Sequence, residues 1–503
     1  MNLTNLRTCV LPKWSILLVL LSLTAVASAA GPTKQSEHKS GGSKPASHAS
    51  AQHGGGHQAS GGHQASGGHG AQGGHAAEGG HAAQGGRGAQ GGHAGGAGHT
   101  PAGTRNVSLR GGGSASVRSN GQIRSINRGG MHISNGLHGG RTVVGMHNGA
   151  RVVNIGRHGG YVQRPYRNFG GHAYYSRTYF SGGHYYTGVY RGYSWHGHMY
   201  YGFHPGFWYH PGFYGWGYHP WGIHLAWGLG LWGWGGAPWY GFYGGWFAPY
   251  PYYAGPAFWL TDYLIAAELQ SAYAARQEAA ADAAASYGDD GGYPPSSASA
   301  SGSTTVGLTP EVKQAIADEV SAQLAAQQAQ AQQDSNSGGQ AAAPASSAPA
   351  ADEVPPALDP ARRTFVVDNN LTVVANGQEC GLTGGDVLTR LTDTPDSDNT
   401  VNASVSASKK SDCAAGQTVA VKVDDLQEMQ NHFAEQLNNG MGELAKKQGT
   451  DGMPTAPDTA TVASSVPNPA PDTTAEKTLQ DQQQAADQAE ADAKQQAAAA
   501  GGQ

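Results

Sequence analysis

The sequence predicts a chain that is mostly disordered plus all-β: an antiparallel hairpin meander with a glycine/aromatic block, two helices, and a small C-terminal β-barrel or sandwich with a terminal helix. Three observations lead there. Glycine supplies 78 of 503 residues and charged residues only 13%, so much of the chain lacks the means to build an ordinary apolar core. Between Asn106 and Tyr200, short Val/Ile/Thr/Tyr runs alternate with Asn120-Gly121, Asn135-Gly136, Gly139-Gly140, Asn148-Gly149 and Gly182-Gly183. Asn-Gly between β-prone runs is the strongest short hairpin signal, because a type I′ turn needs positive φ at both central residues. The third observation is charge. Residues 31–261 carry 16 basic and 2 acidic residues, net +14, and residues 262–503 carry 12 basic and 33 acidic, net −21.

The N-terminus reads as a signal peptide over residues 1–30. Arg7 and Lys13 precede the apolar run Trp14–Val26, and Ala27-Ser28-Ala29-Ala30 follows, so cleavage is expected after Ala29 or Ala30. The run is shorter than the roughly 20 apolar residues of a membrane span. The expected location is therefore outside the cytoplasm: periplasm, outer membrane surface or extracellular space.

Residues 31–105 are expected to be a disordered linker. His57, His63, His69, His75, His81, His93 and His99 recur every six residues, with Arg87 in the vacant slot. Six matches no helical period, and the flanking glycine pairs resist ordering. These imidazoles, with the closer pair His196 and His198, are candidate ligands for weak Zn²⁺, Ni²⁺ or Cu²⁺ binding. No acidic residue stands between Gly79 and Thr261 to complete a defined site, so no resident cofactor is expected.

Residues 106–259 are read as the basic hairpin region followed by the aromatic block. Arginines on the strands in place of clean apolar faces predict a thin core. Ten of the eleven tryptophans lie in 195–259, where Gly and Pro are too frequent for long regular elements. Trp195, Trp208, Trp216, Trp221 and Trp239 are candidate stacking faces for a surface polymer or glycan, although the same rings suit an internal aromatic network equally well.

A helix is expected over 260–288, N-capped by Thr261 or Asp262. A second is expected over 309–333, with Thr309 as N-cap and Pro310 at its first position. Its stripe Val312, Ile316, Val320 and Leu324 needs a partner, within the chain or in a second copy, so a homo-oligomer through this helix is one expectation. Residues 334–361 read as a linker. The small domain is expected at 362–449, with strands at 364–367, 371–374, 386–391, 401–406 and 418–423. Asp424 or Asp425 opens its helix, whose apolar side is Leu426, Met429, Phe433 and Leu437. Cys380 and Cys413, the only cysteines after the signal segment, are expected to form a disulfide. Residues 450–503, Pro-rich and then Gln/Ala/Asp-rich, read as a disordered tail or at best a lone polar helix.

The runs Gly156–Tyr166, APWYGFYGGWFAPYPYY, Phe258–Tyr273, Leu308–Leu324 and Val423–Leu437 resemble a group of uncharacterised exported proteins of soil bacteria of the acidobacterial type. The resemblance covers most of 140–450, leaves out the histidine hexads, implies a Gram-negative type envelope and implies no activity.

Enzymatic chemistry is not expected. Acid/base catalysis needs preorganised carboxylates, absent from the aromatic half, and no nucleophile elbow, phosphate loop or zinc-protease helix occurs. The functional expectation is an exported scaffold or adhesion-type protein whose basic, aromatic β region binds an envelope polymer or self-assembles. A histidine-rich metal binder and a glycan-binding module are the alternatives. Export argues against nucleic acid. The arginines suit an anionic partner, but the acidic half of the same chain is an equal candidate.

Overall fold

The computed structural model describes residues 101–137, 139–156, 159–181, 184–226, 232–286, 307–337, 352–409 and 412–501. The signal segment, Ala29 and Ala30, and the seven hexad histidines lie outside them.

The hairpin meander is present as a ten-stranded antiparallel sheet in simple sequence order. Its strands are β1 (Arg105–Ser108), β2 (Ser114–Val117), β3 (Ile123–Arg128), β4 (Met131–Asn135), β5 (Arg141–His147), β6 (Ala150–Ile155), β7 (Gly159–Phe169), β8 (His172–Ser181), β9 (His184–Trp195) and β10 (His198–His204). Asn148 and Gly149 both take positive φ between β5 and β6, as the type I′ reading requires. Pro165, which cannot donate to a ladder, sits at a register shift in β7. The sheet curls: the Arg151 guanidinium on β6 lies 5.7 Å from the Tyr201 ring on β10. Four flat inter-strand spacings would put those strands about 19 Å apart.

The aromatic block holds more regular structure than expected. After β11 (Phe207–Tyr209) come α1 (Pro211–Tyr218), β12 (Leu225–Ala226), α2 (Pro238–Tyr243) and β13 (Tyr252–Tyr253). Both helices start at a proline, the one position where its missing N–H costs nothing. Helix α3 (Pro256–Ser286) begins five residues before the expected cap. Thr261 instead donates its hydroxyl to Ala257 O at 2.8 Å. Asp262 is buried and pairs with Lys313 Nζ at 2.7 Å. Helix α4 (Pro310–Ser337) starts where expected, with Val312 N donating to Thr309 Oγ1. Its stripe residues Ile316, Val320 and Leu324 are fully buried in the same cluster as Phe213, Trp259 and Leu264, so this chain covers that face itself.

The C-terminal region is a six-stranded antiparallel sheet, not a closed barrel. Its strands are β14 (Thr364–Val366), β15 (Leu371–Ala375), β16 (Gln378–Leu382), β17 (Val387–Arg390), β18 (Thr400–Ala407) and β19 (Thr418–Lys422), in the order β14-β17-β18-β19-β15-β16. The end strands β14 and β16 do not pair with each other. Strand β16 was not expected; Asn376-Gly377, both at positive φ, is the hairpin turn that creates it. Cys380 on β16 is bonded to Cys413, with Cα atoms 5.2 Å apart.

Helix α5 (Val423–Lys447) follows and runs between two cores. Val423, Leu426 and Met429 pack with the six-stranded sheet. Phe433, Leu437, Met441 and Leu444 pack into the aromatic cluster of Trp208, Phe213 and Trp259.

The tail is neither disordered nor a lone helix. Residues Thr461–Ala463 form β20, paired with β11, and Ala475–Gly501 form helix α6. Ala486, Ala489, Ala493 and Ala497 are buried against Ile126, Ile133 and Val143 of the large sheet. Alanine is the best helix former, and its small side chain lets a helix lie close on a sheet. The fold therefore has six α-helices among the described residues, against the two helices and terminal helix expected.

Candidate functional site

Most arginines of the large sheet are spent inside the molecule. Arg118 and Arg124 both bind Glu379 of β16, and Arg128 binds Asp492. Arg141 binds Asp487 and Glu490, and Arg164 binds Asp472. Arg177 binds Glu428 and Arg191 binds Glu353. All these acids come from the negative half of the chain. The two sides of the charge split read from sequence thus meet across the sheet, with α6 on one face and α5 on the other.

The densest polar arrangement lies between α5 and the concave face of β6–β9. Arg177 is fully buried. Its two terminal nitrogens hold the two oxygens of Glu428 at 2.7 and 2.8 Å, and its Nε donates to Gln163 Oε1 at 2.6 Å. The guanidinium lies 3.8 Å from the Tyr190 ring centroid and 4.3 Å from that of Tyr161. Arg151 donates to the Tyr161 hydroxyl at 2.7 Å, and that hydroxyl donates to Glu428 at 3.2 Å. Tyr190 donates to Glu435 and shares a 2.8 Å hydroxyl contact with Tyr179. One turn along, His432 Nε2 is 2.9 Å from Glu268 Oε1 of α3.

Position decides the protonation of each group. Burial pushes Glu428 up, but Arg177 and Arg151 outweigh it and hold its carboxyl below the usual range. Burial raises Asp425 to about 7 and Asp368 to about 6, and raises Glu435 as well. Burial opposes the charge of His432, yet Glu268 prevails, with Asp368 and Glu435, and lifts it to about 10. The ionised members Glu428, Arg177 and His432 are paired with one another or with Glu268, which describes a structural joint.

The tryptophans singled out from sequence turn mostly inward. Trp208 is 4% exposed and donates Nε1 to Asp334 at 2.6 Å. Trp239 is buried edge-on to Trp234. Trp216 stacks on Phe213 with centroids 5.6 Å apart, and Trp221 tilts against Trp216. Trp195 packs on the core of the small sheet. The internal aromatic network is thus the arrangement these five rings adopt. His196 and His198 are exposed, but His196-Gly197 is the turn between β9 and β10, both residues at positive φ, and His196 stacks on Trp195. Among the described residues no group of three His, Cys, Asp or Glu side chains is placed to hold a metal.

The block itself carries no charged side chain, but exposed Arg276 of α3 lies over Phe242, 4.2 Å from its ring centroid. No Asp, Glu, Lys or Arg occurs from Gly192 to Thr261. Tyr252 is 60% exposed, Ile223 49% and Phe242 40%, among exposed Gly and Pro residues of the same segment. No helix among the described residues is long and apolar enough to cross a membrane.

Compared with known protein families, with curated proteins and with solved structures, the chain matches none.

The sequence reading missed Arg177, Glu428 and the tyrosines around them. One signal was available: Asp425, Glu428, His432 and Glu435 recur at helical spacing and form a polar stripe on α5, opposite strands carrying Tyr161-x-Gln163 and Arg177-x-Tyr179.

Proposed function

We propose that this chain is an exported, non-enzymatic scaffold of a bacterial cell envelope, which holds a neutral surface polymer or further copies of itself through the exposed apolar side chains of its aromatic block. The observation that carries this reading is the contrast between the two candidate surfaces. Most arginines of the large sheet pair with the chain's own acidic half, while Arg105 and Arg167 stay exposed. The block presents Ile223 and Tyr252 from a stretch without charged residues, and Phe242 beside the Arg276 guanidinium. Pairing of β12 with β13 brings the segments of Ile223 and Tyr252 together, and contiguous exposed apolar surface marks an interaction site.

Export is supported by the N-terminal sequence and by the Cys380–Cys413 bond, since disulfides persist in oxidising compartments. The non-enzymatic reading is supported by the joint at α5, whose ionised groups are committed to one another.

Co-sedimentation with insoluble envelope polysaccharide at 0.05 and 0.5 M NaCl tests the surface assignment. Binding or self-association that survives the higher salt is expected. Loss of all association at 0.5 M NaCl would return the role to exposed charges, because salt screens those and leaves apolar contact intact.

A further inference from the structure

Helices α4 and α5 present matched faces to one small pocket. Gln323, Ala326, Gln327 and Gln330 lie at i, i+3, i+4 and i+7 on α4. Gln427, Gln430, Asn431 and Ala434 lie at the same spacing on α5. Such spacing puts four residues on one side of a helix, so each helix contributes three carboxamides and one alanine. Phe203 and Tyr193 wall the pocket. At Gly202 an added Cβ would come within 2.8 Å of the Tyr193 ring and 3.2 Å of Pro356, so glycine there lets both close in.

The floor is fully bonded. Gln427 accepts from Ala357 N at 3.1 Å and donates to Asn431 Oδ1 at 3.0 Å. Asn431 caps the edge of β10, accepting from Phe203 N and donating to Tyr201 O. Arg362, also at the pocket, has its charge answered by Glu319 and Asp359. Gln327 and Gln430 differ. Each is 6% exposed, and the Oε1 of Gln327 is buried with no hydrogen-bond partner. A buried carboxamide left unpaired is costly, and native structures supply a partner. The free volume between these faces is about 50 Å³, room for about three to five waters at about 10–15 Å³ each on that measure. A small polar group such as an acetamido fits that room.

We propose that this pocket takes the acetamido group of an N-acetylated amino sugar. A secondary amide offers one donor and one acceptor, the complement of a glutamine carboxamide. Its methyl group fits against the rings of Phe203 and Tyr193. The sugar ring remains at the mouth, where exposed Gln330 meets its hydroxyls. The alternative bearer of an acetamido group, an acetylated lysine, would bring an aliphatic stem to that polar mouth. The absence of unanswered charge in the lining selects a neutral ligand. This site is separate from the exposed apolar side chains of the aromatic block and stands without them.

The test is calorimetry and saturation-transfer NMR on the full chain, with N-acetylglucosamine, glucose and an N-acetyl-lysine peptide as probes. Saturable binding of N-acetylglucosamine, with glucose and the peptide at least tenfold weaker, is expected. Gln327→Leu and Gln430→Leu, each checked for unchanged circular dichroism, are expected to weaken it by a further tenfold or more. Absence of saturable binding, equal binding of glucose, preference for the peptide, or full affinity in both folded variants would overturn the proposal. The comparison of probes on the unaltered protein decides the matter even where a variant does not fold.

Discussion

Arg177 and Glu428 form a two-point ion pair in which the arginine is wholly buried and the carboxylate is a third exposed. That asymmetry makes the two partners unequal. Removing the carboxylate strands a charge between two tyrosine rings, and removing the arginine leaves a carboxylate that water can reach. Glu428→Gln is expected to lower the unfolding free energy by about 3 kcal/mol, the lower end of the cost of breaking a buried pair. Arg177→Met is expected to cost less. Denaturant melts of both variants check this, and a larger loss for Arg177→Met would contradict it.

Asp368, Asp425 and His432 are expected to give the fold an acid-side stability optimum. Asp425 and Asp368 have folded values of about 7 and 6, raised above their unfolded range. Their contribution is complete below about pH 4 and is lost as pH rises through those folded values. His432, lifted to about 10, contributes fully below about pH 6.5 and loses that contribution toward pH 10. Glu428 is held low and acts oppositely, losing its contribution as pH falls below the usual carboxylate range. Melting temperature should therefore peak near pH 5 and fall toward pH 9. Asp425→Asn should flatten the lower part of the decline, and His432→Gln the upper part. A melting temperature that rises from pH 5 to pH 8 would contradict the assignment.

Helix α6 is a cover held by alanines and charge. Beneath it Ile126, Ile133 and Val143 are fully buried, and Arg128 and Arg141 reach its Asp492, Asp487 and Glu490. The pairs are partly exposed, each worth ~0.2–1 kcal/mol and weakened by salt. Truncation after Thr474 should produce a chain that binds a hydrophobic dye and self-associates. Asp487→Asn with Glu490→Gln and Asp492→Asn should do so in part, and more at 0.5 M than at 0.05 M NaCl. A truncated chain with unchanged dye binding would show that the helix is dispensable.

The Cys380–Cys413 bond spans a sequence separation of 33 residues. Closing a loop of that length is worth ~3–4 kcal/mol in the chain-entropy model. Reduction, or Cys380→Ser with Cys413→Ser, should lower the denaturant midpoint and speed amide exchange on β16 first. Unchanged exchange on that strand would argue that the sheet alone fixes it.

The hairpin half of this fold was legible because its signals are local. Asn148-Gly149 announces a turn by its own backbone preference, and Thr309-Pro310 announces a helix start. What escaped was set by contacts distant in sequence. Strand β16 reads poorly because Cys380-Gly381 breaks the alternation, and only its neighbours β15 and Arg118 explain it. Helix α6 looks like polar tail until the sheet beneath its alanines is known. His196-Gly197-His198 reads as a ligand pair by spacing, and the turn it forms goes unread because positive φ at a histidine carries no sequence mark. Helix α5 showed its apolar side in Leu426, Met429, Phe433 and Leu437, whereas its acidic and carboxamide sides gain meaning only from Arg177 and Gln327 opposite them.

The central claim is that the exposed apolar side chains of the aromatic block, not the arginine-rich sheet, meet the partner. Its most direct test is co-sedimentation with envelope polysaccharide and analytical ultracentrifugation of the chain carrying Ile223→Ser, Phe242→Ser and Tyr252→Ser together, three exposed positions that leave the buried rings in place. Loss of association at least tenfold, with an unchanged melting temperature, is the predicted result. Association equal to that of the unaltered chain would contradict the account.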